Sequence, residues 1–113
     1  MSTPTLWHNP RCSKSRETLA LLRQHGVEPT IVEYLQAPPS AAELDRVLKL
    51  LGLEPRELMR KGEDDYAGVP AGSHRAELIA YMVEHPKLIE RPVFINGKKA
   101  AVGRPPEAVL GIL

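Results

Sequence analysis

The sequence holds a single cysteine, Cys12, among 113 residues. One thiol excludes an intramolecular disulfide and any metal centre built on several thiolates. Long apolar runs are also missing. Stretches such as Leu19–Leu22 are far too short to cross a bilayer, so no membrane span is expected. The opening Met-Ser-Thr-Pro-Thr-Leu-Trp has no basic region followed by an apolar stretch, the pattern of a secretory signal. A lone cysteine without an export signal points to a reducing compartment, most simply the cytoplasm. Charge of one sign is lacking too: 15 basic residues face 14 acidic ones, a net +1. That balance gives no electrostatic case for nucleic acid or an anionic membrane as partner.

What is present suffices for one ordinary domain spanning residues 1–113. The hydrophobic fraction is 42%, and a chain of this size buries roughly 60–70% of its unfolded surface without a staple. Repeats and low-complexity stretches are absent. Thr5–His8 is short, apolar-rich and stopped by Asn9-Pro10, which predicts a strand. Ser13–Gln24 predicts a helix, with Leu19, Leu22 and Thr18 on its inner face and Gly26 closing it. Thr30–Tyr34 is β-branched and predicts a second strand, parallel to the first in a β-α-β unit. Ser40-Ala41-Ala42-Glu43 is a capping box opening a helix to Leu51, ended by Gly52. A short helix is expected over Pro55–Met59, a loop over Lys61–Gly72, and a helix capped by Ser73 that ends near His85-Pro86. Pro92–Ile95 and Lys99–Val102 form a hairpin, for which Asn96-Gly97 suggests a type I′ turn. A last helix is expected over Glu107–Leu113. The order β-α-β, helical block, β-β-α implies an α/β fold with a four-stranded mixed sheet flanked by helices.

Cys12 falls where the first strand turns into the first helix. The leading amides of a helix have no intrahelical partner and carry partial positive charge, which favours a thiolate. The same amides suit an oxyanion. Arg11, Lys14 and Arg16 add positive charge, without the sequence telling which of them face the sulfur. A lone cysteine is commonly a small buried hydrophobe, but polar neighbours and a strand-to-helix turn favour a reactive one. Ser15 stands where a Cys-x-x-Cys pair would have its second thiol, so any redox cycle needs a thiol from outside. Thr18 stands where a Cys-x5-Arg phosphate loop would have its arginine, so that loop is excluded. His8 can hydrogen-bond near the sulfur or simply end a strand. His25, His74 and His85 lack ligand spacing and read as surface or capping residues, so no metal is expected. Arg60, Arg91 and Arg104 can grip an oxyanion bidentately, yet spacing alone does not separate them from the other arginines. Pro92 either opens an edge strand or, as a cis residue, shapes a pocket beside the thiol.

Taken together, His8-Asn9-Pro10-Arg11-Cys12-Ser13-Lys14-Ser15-Arg16, Tyr34-Leu35 with Pro38-Pro39, Leu58-Met59-Arg60-Lys61, Ile89-Glu90-Arg91-Pro92-Val93 and Gly103-Arg104-Pro105 resemble the glutaredoxin-coupled arsenate reductase (ArsC) family along nearly the whole chain. The resemblance implies a thioredoxin-like fold with a helical insertion and a cis Pro92. It implies Cys12 as nucleophile with His8 close by, and Arg60, Arg91 and Arg104 as ligands of arsenate or a similar oxyanion. Asn9, Ser15 and Pro92 are expected to shape the pocket. No bound cofactor is implied. Glutathione enters as co-substrate and glutaredoxin as protein partner.

Two other readings fit part of this pattern. A glutathione-linked thiol oxidoreductase with another substrate would keep Cys12 but not need three arginines. An Spx-like regulator that binds RNA polymerase shares the fold; Ser15 removes the Cys-x-x-Cys switch common in that group, and the three arginines argue against it.

Overall fold

The computed structural model describes residues 3–69 and 71–113. Four strands, β1 (Thr5–Trp7), β2 (Thr30–Val32), β3 (Val93–Asn96) and β4 (Lys99–Val102), form one sheet in the order β2-β1-β3-β4. β1 and β2 are parallel, in the register Leu6 opposite Ile31; β1 pairs antiparallel with β3, and β3 with β4. Among the described residues the helices are α1 (Ser13–Gln24), α2 (Ala41–Leu51) and α3 (Arg75–Glu84), along with short 3-10 segments. The expected mixed sheet of a thioredoxin-like α/β fold is therefore observed. The described residues fall into two compact units, Met1–Ala37 with Arg91–Leu113, and Pro38–Glu90.

The first unit carries the sheet. Leu6 of β1 and Phe94 of β3 are cross-strand partners, and both pack with Leu22 of α1 and Val109 near the C-terminus in a fully buried cluster. Trp7, Val93 and Ile95 are buried as well, so the two central strands are covered on both faces. This is why they read as continuous apolar runs rather than alternating ones. β2 is an edge strand with Thr30 and Ile31 exposed, and it stops at Val32, two residues short of the Tyr34 expected from its β-branched run.

The hairpin corrects the expected turn. Asn96 pairs with Lys99, so the two-residue loop is Gly97-Lys98 rather than Asn96-Gly97. Only Gly97 has positive φ, at +64°. A type I′ turn needs positive φ at both central residues, whereas type II′ needs it at the first alone, where glycine serves. Asn96 stays in the strand because its side chain is otherwise engaged, Nδ2 donating to the Ile112 carbonyl at 2.7 Å. The last helix is a 3-10 segment, Pro106–Ile112, rather than an α-helix over Glu107–Leu113. Pro105 and Pro106 bring no N–H to its start, and Ala108 N–H closes a three-residue turn on the Pro105 carbonyl at 3.0 Å.

The second unit is the helical insertion. Ser40 caps α2 as expected, its Oγ accepting the Glu43 N–H at 3.1 Å, and Gly52 ends it in the left-handed conformation at φ +70°. Such a cap is worth about 1 kcal/mol. α3 begins one residue later than expected: His74, not Ser73, is its N-cap. Glu77, three residues on, accepts the His74 N–H at 3.4 Å; from Ser73 the same position would be Ala76, which has no carboxylate to offer. The segment expected as a loop contains a 3-10 turn, Asp64–Gly68. Leu58–Arg60 runs beside Leu88–Glu90 through an isolated antiparallel bridge, with Arg60 N–H donating to the Leu88 carbonyl and Glu90 N–H to the Leu58 carbonyl, both at 2.7 Å.

One glycine is fixed by space rather than by φ. A Cβ on Gly103 would lie 2.5 Å from Thr18 Oγ1 and 2.8 Å from Pro92 Cγ. Thr18 is fully buried and donates to the Lys14 carbonyl of α1 at 2.8 Å. Gly103→Ala should therefore destabilise the fold by about 1–3 kcal/mol through overpacking, read as a lowered urea midpoint. An unchanged midpoint would mean that α1 and the β4 end are not tightly apposed there.

Candidate functional site

The thiol is set by backbone turns. Cys12 N–H donates to the Asn9 carbonyl at 2.9 Å, and Asn9 Oδ1 accepts the Arg11 N–H at 3.0 Å. This closes the turn that leads out of β1. Cys12 then takes the N-cap position of α1 in extended conformation, and its carbonyl accepts the Arg16 N–H at 3.0 Å. The residue is only 9% exposed. Its sulfur makes no conventional N-cap hydrogen bond, yet the N–H groups of Ser15 and Lys14 act on it and favour the charged form.

Burial pushes the Cys12 thiol up. The Ser15 N–H, the Arg91 charge, the Lys14 N–H and the Arg104 charge together outweigh burial and hold it below the ordinary thiol range. Arg104 Nη2 lies 3.8 Å from the sulfur. Its Nε donates to the Arg91 carbonyl at 2.8 Å, so the residue that charges the site also ties the start of β3 to the end of β4. Both the Arg91-Pro92 and the Arg104-Pro105 peptide bonds are cis. The first was among the expectations. The second was not, and no local sequence signal separates Pro105 from the other prolines.

The charge does not come from the arginines nearest in sequence. Arg16 turns away to donate to the Pro10 carbonyl at 2.9 Å, and the Lys14 ammonium faces Glu17 at 3.6 Å. Arg91 and Arg104 supply it from the far end of the chain. Arg60 belongs to the second unit, where its Nη1 pairs with Glu63 Oε1 at 2.6 Å. Glu63 was missed in the sequence; its i,i+3 spacing from Arg60 was the available signal.

His8 and Ser15 form a buried pair behind the loop. His8 Nδ1 lies 2.7 Å from Ser15 Oγ, which also accepts the Asn9 N–H at 3.0 Å. The hydroxyl can thus give its proton to Nδ1 of a neutral ring whose own proton is on Nε2. Burial, then the charges of Arg23 and Arg16, hold the His8 imidazole below its ordinary value of 6.5 against the pull of Glu33. Ser15 therefore does more than occupy the place of a second thiol: it links His8, the Asn9 backbone and, through its own N–H, the sulfur. The other histidines sit at helix ends. His25 and His85 end α1 and α3, and His74 begins α3. Among the described residues no group of three or more His, Cys, Asp or Glu could hold a metal ion, and no helix is long and apolar enough to cross a membrane.

Two measurements check this electrostatics. The rate of Cys12 alkylation against pH should have its midpoint below about 8.5, the free-thiol value, and Arg91→Gln or Arg104→Gln should move it upward; a midpoint unmoved by both changes would remove the arginines as the source of charge. For His8 the sign follows from its lowered value. The neutral ring contributes stability in full above 6.5, and this is lost as pH falls from there through the folded value. His8→Gln should therefore flatten the acid-side slope of urea stability, and an identical slope would argue that His8 is not held neutral.

The family model of the ArsC family matches residues 7–112. The chain is 54% identical over 112 residues to YfgD, an uncharacterised protein of Escherichia coli (strain K12), covering 96% of this chain and 94% of that one. It is 48% identical over 112 residues to a Haemophilus influenzae protein named arsenate reductase, covering 96% and 97%. A solved structure named arsenate reductase, from Vibrio cholerae, superposes with a TM-score of 0.93 at 46% identity over the whole of both chains. With its cysteine at the head of α1 and the family's pattern running from Trp7 to Ile112, this chain belongs to the ArsC family.

Proposed function

We propose that this protein reduces arsenate to arsenite, with Cys12 as nucleophile. The observation that carries the reading is the approach of Arg104 Nη2 to the Cys12 sulfur at 3.8 Å, at a thiol whose ionised form is favoured. A thiolate and a guanidinium side by side provide a nucleophile and an oxyanion ligand at one point. Relatives named arsenate reductase support arsenate as the oxyanion.

In the proposed reaction the Cys12 sulfur attacks arsenic. A sulfur–arsenic bond forms, and an arsenate oxygen leaves as water after protonation. Arg91 and Arg104 hold the remaining oxygens and stabilise charge as it develops. The family pattern assigns Arg60 the same role, with Glu63 fixing its guanidinium. Glutathione thiolate then attacks the Cys12 sulfur. The sulfur–arsenic bond breaks with its electron pair passing to arsenic, so arsenic(V) becomes arsenic(III) and two thiol sulfurs become a mixed disulfide. Glutaredoxin returns Cys12 to the thiol. The chain has no second cysteine, so the second and third sulfurs come from outside, which suits the reducing cytoplasm. His8 and Ser15 keep the turn and the helix amides in place beneath the sulfur; Asn9 and Pro92 shape the pocket.

The test is coupled turnover with arsenate, glutathione, glutaredoxin, glutathione reductase and NADPH. Arsenate-dependent NADPH loss is expected and should vanish in Cys12→Ser. Arg60→Ala, Arg91→Ala and Arg104→Ala should each lower kcat/KM for arsenate by about 10²–10³-fold, the usual worth of one oxyanion donor. Turnover that survives in Cys12→Ser, or no arsenate-dependent loss in the parent protein, would sink the reading. Arg60→Ala with arsenate turnover unchanged would remove Arg60 alone.

A further inference from the structure

A cleft flanks the Cys12 loop. It has a volume of about 360 Å³ and is lined by His8, Asn9, Pro10, Arg11, Glu33, Leu35 and Gln36. In size it falls at the small end of ligand pockets. Its walls come from the residues that follow β1 and β2, so it opens at the carboxyl ends of two parallel strands, where open α/β sheets commonly place ligands. It contains none of the three arginines assigned to the oxyanion.

The sheet order fixes its side. With strands in the order β2-β1-β3-β4, β2 lies on one side of β1 while β3 and β4 lie on the other. Arg91 precedes β3 and Arg104 follows β4. The arginines and the cleft therefore flank the β1–α1 turn from opposite sides. Displacement at a sulfur atom needs the incoming and leaving atoms in line. If the leaving group is held at Arg91 and Arg104, the incoming thiolate must arrive from the β2 side.

Side chains of the cleft suggest what arrives. Arg11, Glu33 and Gln36 are exposed residues of the cleft lining, so it offers a cation, an anion and an amide. A free α-amino acid group has an ammonium for Glu33 and a carboxylate for Arg11, with Gln36 able to bond either.

We propose that this cleft seats the thiol that attacks the Cys12 sulfur, and that its ligand is a small thiol bearing a free α-amino acid group, such as the γ-glutamyl end of glutathione, held by Glu33 and Arg11. The inference rests on the reading of Cys12 as a sulfur that an outside thiol must attack. It does not rest on arsenate. The step is a displacement at the Cys12 sulfur: the sulfur–sulfur bond to glutathione forms, the bond from Cys12 to its leaving group breaks, and the electron pair goes to that group, which is arsenic passing from (V) to (III) in the proposed turnover and a departing thiolate when Cys12 is held as a mixed disulfide.

The test bypasses arsenate. Cys12 is first converted to its mixed disulfide with thionitrobenzoate, and release of the coloured thiolate is timed with glutathione and with 2-mercaptoethanol, which has neither ammonium nor carboxylate. Glu33→Gln and Arg11→Gln should each slow glutathione by about three- to tenfold, the range of one exposed charge-assisted contact, and leave 2-mercaptoethanol unchanged. Glutathione rates equal to the parent's, or equal losses with both thiols, would overturn the proposal. Release by glutathione that follows this pattern in a protein inactive on arsenate would keep the cleft while removing the arsenate reading. A Cys12 that forms no mixed disulfide would remove the outside-thiol reading on which the cleft depends.

Discussion

The site depends on one electrostatic balance. A sulfur that is nearly buried would ordinarily stay protonated, because burial penalises charge. Here two helix amides and two guanidinium groups reverse that. The amides are local, given by any helix that starts at residue 13. The guanidinium groups are not: Arg104 is separated from Cys12 by 92 positions. The reactive form of the thiol is therefore a property of the tertiary fold, and a fragment holding only β1 and α1 would have the amides but not the charges.

Bringing residue 104 to residue 12 requires the β3–β4 hairpin to return the chain to the head of α1. Gly103 lets it come close, since the space a side chain would fill belongs to Thr18 and Pro92. Gly103 N–H also donates to the Pro92 carbonyl at 2.9 Å, extending the β3–β4 ladder one step past Val102. Arg104 then folds its Nε back on the Arg91 carbonyl. Thr18 stands where another thiol-enzyme loop would place its arginine, and its small, fully buried side chain instead makes the floor for this approach. The positive charge has been moved from the helix to the hairpin, and the packing of residues 18, 92 and 103 is what that arrangement requires.

Much of this was legible because the signals were local. Cys12 at a strand-to-helix turn, Ser40 with Glu43, Gly52 after α2 and the β-branched run at Thr30 each state their structure within four or five residues. The resemblance supplied Arg91, Arg104 and the cis Pro92, none of which spacing could single out. The misses came from competition among partners that a motif alone does not rank. Asn96-Gly97 reads as a turn until Ile112 offers its carbonyl to the Asn96 amide, which keeps Asn96 in the strand. Ser73 reads as a cap until Glu77 selects His74. Arg11, Lys14 and Arg16 read as the charges near the sulfur until Glu17 and the Pro10 carbonyl claim two of them. In each case a polar group with several candidate partners took one, across the fold for Asn96 and within a few residues for the others.

On the proposed reading, the same balance that favours Cys12 as a nucleophile also makes it a good leaving group. Thiol–disulfide exchange runs faster when the departing thiol has a low pKa. Once Cys12 is joined to glutathione, on the proposed reading, its sulfur is the one better stabilised as thiolate, by the Ser15 and Lys14 amides and by Arg91 and Arg104. A second external thiol is therefore steered to the glutathione sulfur and expels Cys12. A resolving cysteine at position 15 would short-circuit this cycle by capturing Cys12 in an internal disulfide. Ser15 cannot do that, and its hydroxyl serves instead to bind the Asn9 amide and the His8 ring. On the proposed reading a hydroxyl rather than a thiol at position 15 leaves reduction to outside thiols, while its bonds to His8 and the Asn9 amide hold the turn that carries the sulfur.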